Sequence, residues 1–362
     1  MAAGLKTHIW NNNLRSIMLI AFYPFIVGAL VWVISFAASY FLNYGAHGQE
    51  VTTNHSIDNA YHVLTNYWPA IFTVIGIWFV TAYFFQTKMV RALSHSHPVS
   101  RKEEPELYNL LENLSITAGI PMPRLEIIET HARNAFASGV DKNSYTVTVT
   151  RGLMQSLSTD EMEGVLAHEV THILNRDVRL LIVSIIFTGM IGFAAQMVWS
   201  MIRYSSFSRS RDSGKTVIIL LVIALILWIG YLATMFTRFA LSRSREFMAD
   251  AGAIELTKNP DAMMRALLRI SGKAQIPKAA GDINLMCIEN KVPFMGLFMT
   301  HPPIEKRLKA LSEYTATPIP EINAGTRTDN ENRFSAPDHE NPPSWATLAA
   351  KQKHGDKKNP WK

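Results

Sequence analysis

The chain has 362 residues, of which 48% are hydrophobic and 18% are charged, and its mean hydropathy is slightly positive. This balance is too apolar for an ordinary soluble enzyme and too charged for a bundle of membrane helices alone. We explain the net charge of +6 by Lys and Arg residues beside membrane segments, and we expect no nucleic-acid partner. Cys287 is the single cysteine, which excludes an intrachain disulfide and a cysteine-based zinc cluster.

Four charge-free segments are each near the roughly 20 residues that cross a bilayer. They cover residues 17–42, 67–85, 180–202 and 217–236, and they predict four transmembrane helices. Lys6 and Arg15 precede the first segment, while Lys88 and Arg91 follow the second. The positive-inside rule therefore places the N-terminus and the chain after residue 87 in the cytoplasm. The basic loop 203–215 opposes this orientation, so whether the third and fourth segments both cross stays open.

The chain between and after these segments shows patterns of a soluble α+β domain. Leucines at helical spacing in "EEPELYNLLENLSITAGI" predict a helix that ends at Gly119, and "RLEIIET" and "SYTVTVT" predict short strands. Ser158, three residues before Glu161, is typical of a capping box that begins a further helix. We expect a membrane hairpin over 1–87, a cytoplasmic domain over 88–179 and 237–314, a second hairpin over 180–236, and a disordered tail over 315–362.

The predicted helix that begins near Ser158 contains the stretch "HEVTH". His168 and His172 are four residues apart, so on a helix they share one face and can offer two nitrogens to one cation. Glu169 lies about 100° around the helix from His168, within reach of a water bound to that cation. In a zinc hydrolase the metal polarises the scissile carbonyl and acidifies the water, whose proton the carboxylate takes.

A catalytic zinc ion takes a third protein ligand and keeps one open position. The stretch "SRSREFMAD" places Glu246 and Asp250 four residues apart, so Glu246 can ligate while Asp250 orients an imidazole. His172 is eight residues before the third apolar segment, and Glu246 is ten residues after the fourth. The two half-sites meet on one side of a membrane only if both segments cross or neither does.

Several motifs in this order resemble the HtpX-type membrane zinc endopeptidases, which are relatives of the CAAX prenyl proteases. These motifs are "HEVTH", an apolar hairpin, "SRSREFMAD" and "THPP", and the resemblance runs from about residue 10 to about residue 311. It implies a mostly α, integral-membrane protein with four transmembrane helices and a cytoplasmic α+β zincin-like domain. It also implies one Zn²⁺ per chain, with His168, His172 and Glu246 as ligands, Glu169 as the general base and Asp250 as the orienting carboxylate.

The resemblance further implies a substrate-binding edge strand in "NAFASG", where Asn134, Ala135 and Phe136 bind an extended peptide by strand addition. The alternative interpretation of "NAFASG" is a plain junction between a turn and a strand. His301, in "MTHPPIEKR", matches a motif that stabilises the oxyanion or contacts substrate, and Arg307 could assist. The alternatives are a helix start at the two prolines and a surface charge at Arg307.

These observations predict a zinc metalloendopeptidase with a cytoplasmic active site, and the resemblance places it in a bacterial inner membrane. The resemblance also implies that its substrates are misfolded or damaged membrane proteins, handled as quality control under stress. CAAX-type processing of prenylated proteins is the alternative within the same class. A histidine-rich iron oxygenase or desaturase is the alternative from another class, but such enzymes need several histidine clusters. A catalytically silent scaffold is a third alternative.

Overall fold

The computed structural model describes residues 5–43, 53–205, 213–240, 243–271 and 302–321. In chain order its elements are α1 (Leu5–Asn43), α2 (Thr53–Ser94), β1 (His97–Pro98), α3 (Pro105–Ala118), β2 (Arg124–Ile128), β3 (Ala135–Ser138), β4 (Thr146–Thr150), α4 (Arg151–Met154), α5 (Thr159–Leu174), α6 (Asp177–Ser205), α7 (Ser213–Ala240), α8 (Arg243–Thr257), α9 (Pro260–Ile270) and α10 (Ile304–Thr315). The protein is mostly helical. It divides into one compact unit of residues 1–89, 139–141 and 175–243, and another of residues 90–138, 142–174 and 244–362.

The first unit contains the long apolar helices. Within the described part of the chain, three stretches can cross a membrane by length and composition, namely Ala21–Phe41, Thr53–Ser94 and Asp177–Tyr204, and a shorter apolar stretch spans Thr216–Leu232 of α7. Their polar atoms pair between helices: the Tyr23 hydroxyl donates to the Phe187 carbonyl at 2.7 Å, and Trp78 Nε1 donates to the Ile186 carbonyl at 3.2 Å. Each of the four apolar segments found in the sequence lies within one helix, α1, α2, α6 or α7.

The described residues of the second unit form a four-stranded sheet in the order β1-β2-β4-β3. Strands β2 and β4 are parallel, whereas β1 and β3 pair antiparallel with their neighbours. The strands predicted in "RLEIIET" and "SYTVTVT" are confirmed as β2 and β4. The helix predicted before Gly119 is confirmed as α3, and Gly119 ends it with a left-handed φ of 68°, which glycine adopts at little cost.

Helix α5 begins with the predicted capping box, in which the Ser158 backbone N–H donates to the Glu161 carboxylate at 3.0 Å. The same buried carboxylate accepts from Arg269 at 2.9 Å and from Arg265 at 3.3 Å, so α9 is attached to the first turn of α5. Eleven residues of α5 are buried, far more than one amphipathic face, because α3, α9 and the sheet pack around it. The tail predicted to be disordered lies outside the described residues beyond position 321.

Candidate metal centre

Two imidazoles converge on the buried face of α5. His168 Nε2 and His172 Nε2 are 3.2 Å apart, with the ring planes at 87° to each other. His168 is fully buried, and the side chain of His172 is 14% exposed. The four-residue spacing therefore points both Nε2 atoms at one position, as the sequence predicted.

A carboxylate from α8 completes the group. Glu246 Oε2 lies 3.7 Å from His168 Nε2, and Glu246 Oε1 lies 3.6 Å from His172 Nε2. Donors on a tetrahedral zinc ion with bonds of about 2.0–2.1 Å are roughly 3.3 Å apart, so the three side chains are spaced for one such ion. Among the described residues, these three are the group of His, Asp and Glu side chains close enough to hold a metal.

Asp250 lies one helical turn after Glu246 and links the site to α10. Its Oδ1 is 3.0 Å from His168 Nδ1, which leaves His168 Nε2 directed at the proposed metal position. Arg307 Nε donates to Asp250 Oδ2 at 2.8 Å, and Arg307 Nη2 donates to Oδ1. The side chain of Arg307 is fully buried, so the surface-charge alternative for this residue is wrong.

Burial and charge set the protonation states around the site. Burial lowers the pKa of His168 to about 4, which keeps the imidazole neutral, the form that binds a metal. Burial alone would raise the pKa of Asp250, but the Arg307 charge and hydrogen bonds lower it overall. The carboxyl of Asp250 is therefore ionised, and its charge favours the His168 tautomer whose proton is on Nδ1.

Glu169 is 2% exposed and follows directly after His168. Burial, with a smaller contribution from the neighbouring Glu246 charge, raises its pKa to about 7. The backbone of Ala137, on edge strand β3, acts in the opposite direction and lowers this pKa. A carboxyl with this pKa exchanges protons readily near neutral pH, as a general base requires.

The structure places the other predicted site residues as follows. Asn134, Ala135 and Phe136 lie at the start of β3, on the edge of the sheet, and each is about 1% exposed. Residues 135–138 of "NAFASG" form a strand that pairs with β4 over four registered positions, and their role in substrate binding stays a prediction. His301 lies outside the described residues.

Sequence reasoning missed a close contact between α5 and α8. A Cβ atom at Gly252 would lie 2.4 Å from Thr171 Cγ2, so α8 approaches the ligand-bearing helix at a distance that only glycine permits. Gly252 follows Asp250 by two residues, and a glycine inside a helical pattern was the available signal.

A model of peptidase family M48 matches residues 101–315, more than half of the chain. The chain belongs to peptidase family M48. A protein described as "Protease HtpX homolog" from Bacteroides fragilis is 39% identical over 325 residues, which cover 86% of this chain and 99% of that protein. Similarly described proteins from Lactobacillus helveticus and Listeria monocytogenes are 36% and 35% identical, over 62% and 66% of this chain and 78% and 84% of their own lengths.

Membership of M48 and the similarity to HtpX proteins confirm the resemblance found in the sequence and make this M48 protein a membrane metalloprotease. The iron-oxygenase alternative is accordingly wrong. Among solved structures, S. mikatae Ste24p is 19% identical with a TM-score of 0.42, over 84% of this chain and 66% of that one. This likeness is too weak to bear on the details of the fold.

Proposed function

We propose that this M48 protein is a zinc-dependent endopeptidase that hydrolyses peptide bonds of misfolded or damaged membrane proteins. The supporting observation is the convergence of His168, His172 and Glu246 beside Glu169, with all four side chains on two helices of one compact unit. The spacing of the three donors fits a tetrahedral zinc ion and leaves a fourth position for water or substrate.

When bound, zinc would polarise the scissile carbonyl and activate the attacking water. Glu169 accepts the proton of that water on its carboxylate and delivers it to the leaving amine. Asp250 Oδ1 lies 3.0 Å from His168 Nδ1, so its charge favours a proton on that nitrogen and leaves Nε2 to face the metal. Arg307, buried and bound to Asp250, holds this carboxylate in place, so we assign it a positioning role in place of a substrate contact.

The substrate binds as an extended strand along β3, with Asn134, Ala135 and Phe136 at the start of the binding edge. An edge strand suits this mode because, among the residues that the structure describes, one row of its backbone groups is not paired with a neighbouring strand. We assign His301 to substrate or oxyanion contact on the strength of its motif. This mode selects for extended chain segments, which misfolded proteins expose.

For the membrane arrangement, we propose four crossings, by α1, α2, α6 and α7. Three have candidate spans, and α7 is 28 residues long with a mostly apolar sequence. With the predicted orientation, the metal centre lies in the cytoplasm beneath a bacterial inner membrane. The domain division predicted from the sequence, with hairpins over 1–87 and 180–236, belongs to the same proposal.

The decisive experiment is cleavage of a casein-like unfolded substrate by the purified full-length protein. We expect a chelator to abolish cleavage and added zinc to restore it. Glu169→Gln should reduce cleavage by more than about a hundredfold while the metal content stays at that of the wild type. Cleavage by the Glu169→Gln protein at the wild-type rate would contradict the assigned base, and stoichiometric iron would contradict the assigned metal.

A further inference from the structure

The hydroxyl of Thr150, at the end of β4, binds the chain segment that leads into β3. It accepts from the Asn134 N–H at 2.9 Å, and its proton has the Ala132 carbonyl at 2.7 Å and the Asn134 carbonyl at 2.9 Å within reach. The Thr150 N–H also donates to the Asn134 carbonyl, at 3.0 Å. Thr150 and Asn134 are each 1% exposed, so bulk water does not readily replace these bonds. One residue of β4 therefore fixes both the N–H and the C=O of Asn134.

These bonds differ from those of an ordinary strand pair. Asn134 and Thr150 continue the antiparallel register of β3 and β4 by one position, where two residues normally exchange two backbone hydrogen bonds. Here the Asn134 N–H donates to the Thr150 side chain. Thr150 is also the N-cap residue of α4, where a threonine hydroxyl commonly accepts from the helix. Within the described part of the chain its side chain makes no such bond, so the hydroxyl stabilises the entry to β3 and not α4.

Gly152 supports the same segment from α4. Its N–H donates to the Thr130 carbonyl at 2.8 Å, and a Cβ atom at this position would lie 2.3 Å from the His131 carbonyl oxygen. Only glycine lets the backbone of α4 lie this close to the chain before β3. Residues 150–152 thus set the path of this segment through its backbone.

The path of this segment decides how β3, the edge strand among the described strands, presents its outer backbone groups. In an antiparallel pair, consecutive residues alternate between facing the partner strand and facing away. Asn134 faces β4, so the N–H and C=O groups of Ala135 and Ala137 face the edge to which a peptide strand would add. Because Asn134 directly precedes Ala135, a rotation of its backbone changes the direction of the first of these groups.

We propose that the Thr150 hydroxyl positions the substrate-binding strand: it fixes Asn134 and so aligns the outward backbone groups of β3 with an arriving peptide. The inference rests on the proposed strand-addition function and adds to it a residue that does not touch the substrate. Thr150 is on β4 and is not one of the three metal donors, which are on α5 and α8. Loss of its hydroxyl therefore weakens peptide binding and leaves the metal bound.

Thr148 provides a matched control. It lies two residues before Thr150 on the same face of β4 and is likewise 1% exposed. Among the described residues, its hydroxyl oxygen has no hydrogen-bond partner. Valine has nearly the shape of threonine, so Thr148→Val and Thr150→Val remove the same hydroxyl from similar surroundings. Only Thr150→Val takes an acceptor from the Asn134 N–H.

Kinetics with a quenched fluorescent peptide test the proposal, on the zinc-loaded full-length protein in detergent. The peptide copies a casein bond that the wild type cleaves. We expect Thr150→Val to raise KM about tenfold and to leave kcat within about threefold, because poorer alignment weakens the binding of substrate and transition state alike. Thr148→Val should retain the wild-type KM, as should Thr150→Ser, which keeps the hydroxyl. The zinc content of all three variants should equal that of the wild type.

Three outcomes would overturn the proposal. They are a wild-type KM in Thr150→Val, an equal rise of KM in Thr148→Val or Thr150→Ser, and loss of zinc from Thr150→Val, which would show a wider structural role. If the wild type does not cleave the casein substrate, the proposed function fails and the inference fails with it. Cleavage by the wild type together with an unchanged KM in Thr150→Val would contradict the inference alone.

Amide hydrogen exchange gives a readout that depends neither on cleavage nor on the folding of a variant. In the wild type the Asn134 amide should exchange as slowly as the Phe136 amide, which also faces β4, and rapid exchange at Asn134 would contradict the proposal. We expect exchange at Asn134 to rise at least about tenfold in Thr150→Val and to stay at the wild-type rate in Thr148→Val. Equal rates in the two valine variants would show that the Thr150 hydroxyl does not hold Asn134.

Discussion

Asp250 is the residue that lies between His168 and α10. Its Oδ1 is 3.0 Å from His168 Nδ1 on one side, and on the other side the carboxylate accepts from two nitrogens of the Arg307 guanidinium. Both partners are fully buried. Removing one member of a buried ion pair leaves the other charge buried without a partner. The resulting loss of stability is larger than the net stability that the intact pair contributes.

We therefore expect Arg307→Met to reduce stability by about 3–5 kcal/mol and zinc affinity by roughly 10–100-fold. Lys309→Met, on the same helix but with a side chain that is 77% exposed, is the matched control and should change stability by less than about 0.5 kcal/mol. Competition with a chromophoric chelator measures the affinity, and denaturant unfolding measures the stability. Equal zinc affinity in the two variants would show that Arg307 does not position the Asp250–His168 pair.

The single-residue features of the site differ in how far the sequence revealed them. The ligands on α5 and the Glu246–Asp250 pair follow from four-residue spacings, because the geometry of one helix is fixed by its own period. The Asp250–Arg307 contact joins residues 57 apart, and no local period specifies such a distance. Asp250 and Arg307 are both buried, so Arg307 is not a surface charge and supports His168 through Asp250. This burial is visible only in the folded chain.

At the scale of elements, the spacing between α5 and α8 decides whether the three donors can share an ion. Thr171 occupies the space that a side chain at position 252 would need. It immediately precedes His172, one of the three donors. A methyl group at position 252 would push α8, with Glu246 and Asp250, away from α5.

We expect Gly252→Ala to cost about 1–3 kcal/mol through overpacking and to reduce the zinc content of the purified protein. Adding Thr171→Ala removes the nearest clashing atom, Cγ2, and should restore much of the bound zinc and the proteolysis. Gly189→Ala, where a Cβ meets nothing within 4 Å, is the control for a helical glycine. If the double variant binds no more zinc than Gly252→Ala alone, then Gly252 does not act by setting the spacing between α5 and α8.

The elements themselves were largely predictable, whereas their arrangement was not. The strands β2 and β4 and the ends of α3 and α5 follow from β-branched runs, Gly119 and the capping box. The strand order, in which β4 lies between β2 and β3, depends on pairings between distant segments. The short strand β1 was missed because two residues, His97 and Pro98, contain no alternation to detect.

For the whole molecule, a metal ion held by His168, His172 and Glu246 would join two parts of the sequence, one before α6 and one after α7. A ligand that binds only the folded state raises the free energy of unfolding in proportion to the logarithm of its concentration divided by its dissociation constant. The gain is about 4 kcal/mol when the concentration is a thousand times the dissociation constant. We expect a chelator to lower the melting temperature of the detergent-solubilised protein by several degrees and added zinc to reverse this.

His172→Ala is the control for this effect, since it removes one of the three donors without touching the Asp250–Arg307 pair. Its melting temperature should be lower than that of the zinc-loaded wild type and should respond little to the chelator. An equal response in both proteins would place the stabilising ion elsewhere in the molecule.

The separation of the ligands along the chain also has a consequence for how the protein is made. Glu246 is synthesised 74 residues after His172, which at about 5–20 residues per second is a delay of roughly 4–15 s. During that interval the ribosome has produced α6 and α7, but the nascent chain has only two of its three donors. The set of three donors thus stays incomplete until the chain beyond α7 has emerged from the ribosome.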